Sequence, residues 1–150
     1  MFKKSLVFMV GLALVLSLVN VGIAADKPSD VTVKVQAMIA SARAAITIVS
    51  PEVVKAALDS KEKAIFLDVR DAGEFAAGHL PGAMNISRGT LEFNVANAIP
   101  DQNAKIYVYC KTKARSALGT KTLNDLGYKN AVLMDAQYAD WVKAGYPVER

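Results

Sequence analysis

One residue in this 150-residue chain has the type and the neighbours for nucleophilic chemistry. Cys110, the only cysteine, ends the apolar run Ile106-Tyr107-Val108-Tyr109. Lys111, Thr112, Lys113, Ala114 and Arg115 follow it at once. A thiolate, not a thiol, attacks electrophiles and binds soft ligands. Three cations within five positions favour the thiolate. So does a loop short enough for its amides to curl toward the sulfur before the next helix begins. The same cradle suits a small anion such as thiosulfate. Lys111, Thr112, Lys113, Ala114 and Arg115 are therefore the expected binding residues around a catalytic Cys110. Alone, a cysteine at a strand end reads as a small buried hydrophobe; the adjacent charges point to function.

The elements that must hold this loop can be read from pattern. Ala64 to Val69, Ile106 to Tyr109 and Ala131 to Met134 are short apolar runs that predict buried strands. Between them lie helical stretches. Val33 to Ala45 carries apolar residues at mixed spacing. Ser50-Pro51-Glu52 starts a second helix running to about Leu58, with Pro at its first position. Asp71-Ala72-Gly73-Glu74 has the form of a capping box. Leu91 to Ile99 and Ala114 to Leu126 are further helices, the latter ended by Gly127. Gln137 to Ala144 closes the series. Strands alternating with helices predict an α/β fold of three layers, a mainly parallel sheet between helices. In such sheets ligands bind beyond the C-terminal strand ends, where Cys110 falls.

Composition bounds the function. Hydrophobic residues make up 53% of the chain, and the excess is concentrated at the start. Lys3 and Lys4 precede an apolar stretch from Leu6 to Val19, and small residues stand at Gly22 and Ala24. This is the pattern of a secretory leader, expected at residues 1–24 with cleavage after Ala24. Residues 25–45 then form a linker and helix ahead of the domain at 46–150. The leader predicts an exported, periplasmic protein; only an uncleaved segment would hold it to a membrane. The net charge is +4, and losing Lys3 and Lys4 leaves +2, too little and too scattered to argue for nucleic acid. A single cysteine excludes an intrachain disulfide and a cysteine-rich zinc site.

Three stretches, in order, resemble one family. Cys110 with Arg115 is similar to the active-site loop of rhodanese-like sulfurtransferases. Phe66-Leu67-Asp68-Val69-Arg70, Glu74-Phe75, Gly78-His79-Leu80-Pro81-Gly82-Ala83 and Asn85-Ile86 resemble its upstream motif. Trp141 to Val148 resembles its final helix and tail. The resemblance covers residues 46–150. It implies a single-domain sulfurtransferase in which Cys110 takes sulfane sulfur from a donor such as thiosulfate. The persulfide then passes that sulfur to a thiophilic acceptor, cyanide-like or a thiol. The loop amides and Arg115 stabilise the persulfide, and no metal or organic cofactor is needed. Phosphatases built on this fold have five residues between cysteine and arginine; the four here favour sulfur transfer. Two alternatives share the fold: a persulfide carrier serving a partner protein's thiol, and a non-catalytic binding module.

Two positions depart from the family's pattern. Lys113 stands where Gly is frequent, which predicts altered loop geometry because lysine rarely takes positive φ. Asp135-Ala136 replaces a frequent Gly pair near the pocket. Among the remaining residues, Asp68 and Arg70 are expected to form an ion pair, and His79 to serve a turn. Tyr138 and Trp141 are expected in the core. Arg88 has two readings, contact with substrate at the pocket rim or pairing with Glu92 one turn on.

Overall fold

A computed structural model describes residues 29–150. The leader expected at 1–24 lies outside the described residues. Helix α1 (Asp30–Ala44) is capped by the Ser29 side chain, which accepts from the Thr32 amide. Strand β1 (Ile48–Val49) leads into α2 (Pro51–Asp59), with Pro at its first turn as expected. Strand β2 (Ile65–Asp68), helix α3 (Ala72–Ala76) and strand β3 (Met84–Asn85) follow. A 3-10 turn at Arg88–Thr90 opens α4 (Leu91–Ala98). Then come β4 (Ile106–Tyr109), α5 (Ala114–Asp125), β5 (Ala131–Met134) and α6 (Tyr138–Lys143). No described helix is long and apolar enough to cross a membrane.

The strands form one sheet in the order β1-β5-β4-β2-β3, and every pairing is parallel. The expected α/β architecture is present, with β4 at the centre. Strands β1 and β3 have two residues each, too short for a periodic pattern to reveal. Helix α5 packs on the face of β4 and β5, with α1 and α4 against it.

The two faces of the sheet are separate cores, and alternation along the strands assigns each side chain. Leu67, Ile106, Val108 and Cys110 join Leu91, Val95 and Leu123 on the α4–α5 side. Phe66, Tyr107, Tyr109, Val132 and Met134 join Val54, Ala57 and Trp141 on the α2–α6 side. Leu67, Val108 and Leu133 are wholly buried; each such side chain contributes roughly 1.5–3 kcal/mol of burial free energy. Period two along β4 thus turns Cys110 toward the N-terminus of α5.

Candidate active site

The C-terminal ends of three adjacent parallel strands supply the site: β2 delivers Asp68 and Arg70, β4 delivers Cys110, and β5 delivers Asp135. Loop 111–113 links Cys110 to α5. The first turn of a helix has amides with no intrahelical partner, which a side-chain acceptor normally satisfies. Lys113, at the cap position of α5, makes no such bond. The Cys110 sulfur makes it instead: the Ser116 amide, third in the helix, donates to Sγ at 3.2 Å. The Ser116 hydroxyl lies 3.2 Å from the same sulfur and 3.1 Å from the Lys113 carbonyl oxygen. Cys110 and Ser116 are both fully buried. Ser116 was not foreseen as a site residue. Its signal was its phase, third residue of a helix whose cap has no short polar side chain.

Lys113 adopts φ 75°. The loop holds a left-handed residue there even though the side chain is lysine, a conformation lysine rarely takes. On the other side, the Lys111 carbonyl accepts from the Tyr138 amide at 3.3 Å, tying the loop to α6.

The cations are not free, as local sequence alone suggested. Arg115 Nη2 donates to Glu74 at 2.7 Å, and Nη1 to Asp71 at 3.2 Å. Lys111 Nζ lies 3.7 Å from Glu74. Lys113 Nζ lies 3.4 Å from Asp135, which also accepts from Arg43 Nη2 at 3.1 Å. Partial burial pushes the Glu74 carboxyl up, but the Arg115 hydrogen bond, the Asp71 amide and the charges of Arg115 and Lys111 outweigh it and hold it below its usual range. With the Asp68–Arg70 pair, five cations face four carboxylates. The mouth therefore carries about one net positive charge, not three.

The expected Asp68–Arg70 pair is present and buried. Arg70 Nη2 donates to Asp68 at 2.6 Å and to the Gly78 carbonyl at 2.6 Å. The Arg70 guanidinium lies over the Tyr138 ring at 3.9 Å. Gly78 has φ 154°, and a Cβ there would stand 2.8 Å from the Tyr138 hydroxyl, so the crossing needs glycine. Burial pushes the Tyr109 phenol far above its usual range, and its hydroxyl accepts from the Leu80 amide at 3.1 Å. His79 serves the turn: its Nδ1 is 3.0 Å from the Phe75 carbonyl and its ring stacks on Phe75 at 3.8 Å. Trp141 is buried and Tyr138 packs against the same core, as expected; Tyr138 also walls a cleft of about 270 Å³ with Arg70, Glu74, Gly78 and Lys111. A second cleft, of about 420 Å³, lies between α1 and Thr112, Lys113 and Ala114.

Arg88 lines neither cleft. It donates to Glu92 at 2.8 Å and to Thr122 at 3.1 Å, and Gly119 leaves room for its stem against α5. Of the two readings of Arg88, the structure shows the pairing with Glu92, one turn away on α4.

The model of the rhodanese-like domain matches residues 50–144. The chain belongs to the rhodanese-like family. Over 93 residues it is 32% identical to YrkF of Bacillus subtilis, named as a sulfur carrier; the match covers 62% of this chain and 49% of YrkF. The chain thus spans about half the length of that relative. It is 32% identical over 92 residues to the thiosulfate sulfurtransferase GlpE of Pseudomonas putida, covering 61% of this chain and 81% of GlpE. Among solved structures, RPA3614 of Rhodopseudomonas palustris superposes with a TM-score of 0.73 at 28% identity, covering 82% of this chain and 99% of that one. That protein is of unknown function, with a tyrosine phosphatase suggested in its name. Rhodanese-like relatives named for sulfur transfer and sulfur carriage support a sulfurtransferase role for this rhodanese-like domain.

Proposed function

We propose that this rhodanese-like domain moves sulfane sulfur through a persulfide on Cys110. The observation that carries the reading is the Ser116 amide donating to Cys110 Sγ at 3.2 Å at the N-terminus of α5. Preorganised donors stabilise charge where it develops, without reorganisation at the moment of reaction. The sulfur of Cys110 attacks the outer sulfur of thiosulfate. The donor's S–S bond breaks, sulfite leaves with the bonding pair, and Cys110 holds the outer sulfur as a persulfide. A nucleophilic acceptor such as cyanide then attacks that outer sulfur. The new S–S bond breaks, thiocyanate leaves, and the electron pair returns to Sγ.

The relay reading differs only in its acceptor, a thiol on another protein, and the name of YrkF supports it. Intact mass after thiosulfate treatment tests both readings: one sulfur atom is gained by the wild type and none by Cys110→Ser. In a thiosulfate:cyanide assay the wild type yields thiocyanate, and Cys110→Ser yields only the background rate. Sulfur uptake without turnover selects the carrier. Equal mass gain in both proteins removes Cys110 as the acceptor of sulfur. Hydrolysis of p-nitrophenyl phosphate by the wild type, with no sulfur gained, replaces this reading with a phosphatase.

A further inference from the structure

The two residues singled out as departures, Lys113 and Asp135, are in contact. Lys113 Nζ and Arg43 Nη2 approach the same oxygen, Asp135 Oδ1, at 3.4 and 3.1 Å. Arg43 belongs to the last turn of α1, which precedes residues 50–144 of the family match. Partial burial pushes the Asp135 carboxyl up, but Arg43 and then Lys113 hold it below its usual range. It is therefore ionised at neutral pH. The other guanidinium nitrogen of Arg43, Nη1, is buried without a hydrogen bond. That costs free energy, so the Asp135 pair is what holds the group in place.

The backbone of Lys113 connects this cluster to the sulfur. Its φ of 75° is unfavourable for a residue with a Cβ. Its carbonyl accepts from the Ala117 amide at 3.0 Å and from the Ser116 hydroxyl at 3.1 Å. Ser116 is the residue that touches Cys110 Sγ. The conformation of Lys113 therefore sets the position of Ser116, whose amide donates to the sulfur.

We propose that Arg43, Asp135 and Lys113 form a clamp through which helix α1 positions the catalytic loop, offsetting the cost of a left-handed lysine. The inference rests on Cys110 being the reacting group. Arg43 and Asp135 are positioning residues and act through Lys113 and Ser116. A plain charge effect of Asp135 has the opposite signature. Removing an acid near an anionic donor would strengthen donor binding and lower KM, whereas releasing the loop lowers kcat.

The test compares wild type, Arg43→Met, Asp135→Ala and Asp135→Ala with Lys113→Gly. Two readouts are used, amide hydrogen exchange of residues 111–116 and thiosulfate:cyanide kinetics. Each pair is partly exposed, so the effect is modest. Exchange in the loop rises several-fold in Arg43→Met and Asp135→Ala, and kcat falls about fivefold with KM little changed. Glycine takes positive φ freely, so adding Lys113→Gly to Asp135→Ala returns loop exchange to within about twofold of the wild type. Unchanged loop exchange in both single variants overturns the clamp. So does a change confined to KM, or a failure of glycine to rescue. Exchange is read without substrate, so a wild type that takes up no sulfur sinks the functional reading while the clamp is still judged.

Discussion

At the scale of single residues, Cys110 does the work of a helix cap. Sulfur is a weaker acceptor than a hydroxyl or carboxylate oxygen while neutral, and hydrogen bonds strengthen when the acceptor is charged. The Ser116 amide is thus better satisfied by an anionic Cys110 than by a thiol. Arg115 supports the site differently, as a charge anchored by Glu74 and Asp71. Arg115→Ala lowers sulfur transfer about tenfold or more. Lys121→Ala, which removes an exposed pair with Asp125, changes it less than about twofold. Comparable losses in a side-by-side assay contradict this division. Cys110 was legible in the sequence because its cations are neighbours in the chain. Their counter-charges were not, because Glu74 and Asp71 stand 41 and 44 residues from Arg115. Arg88 and Glu92 sit one helical turn apart, so their pairing was legible in the local pattern.

At the scale of elements, the first helix after β2 and the loop after β4 are joined by one carboxylate. Glu74 of α3 meets both Lys111 and Arg115. Its carboxyl lies below the ordinary 4.5 in the folded chain. A depressed carboxyl contributes stability that is fully present above the unfolded value and is lost as pH falls through the folded one. The wild type should therefore melt above Glu74→Gln at pH 7, and the gap should close as pH drops below about 4.5. A gap that persists at pH 3 contradicts the assignment. Strands β2, β4 and β5 were legible because four consecutive apolar residues leave few alternatives. Strands β1 and β3 acquire their identity from parallel neighbours, Leu133 and Met134 for one and Leu67 and Asp68 for the other. Nothing in two residues announces that. The left-handed Lys113 was likewise illegible, since its support comes from α1 and from the residue after β5.

At the scale of the molecule, parallel topology sends β2, β4 and β5 to one edge, and their connecting segments form one polar surface around a single sulfur. The overall charge says little about that surface, where nearly every cation has a carboxylate beside it. Access then becomes a matter of reach. Cys110 exposes 0% of its surface, so the empty form offers nothing for a bulky electrophile to grip. A persulfide extends the side chain by about 2 Å, and its outer atom meets incoming groups ahead of Sγ. Loaded and empty states would then differ in stature as well as in composition. A large maleimide should label the wild type slowly before thiosulfate treatment and several-fold faster after it; equal rates would contradict the idea. On the persulfide reading proposed above, a buried thiol of this kind discriminates by timing: it shuns large oxidants and foreign disulfides while idle, and offers a reactive atom only when it has sulfur to give.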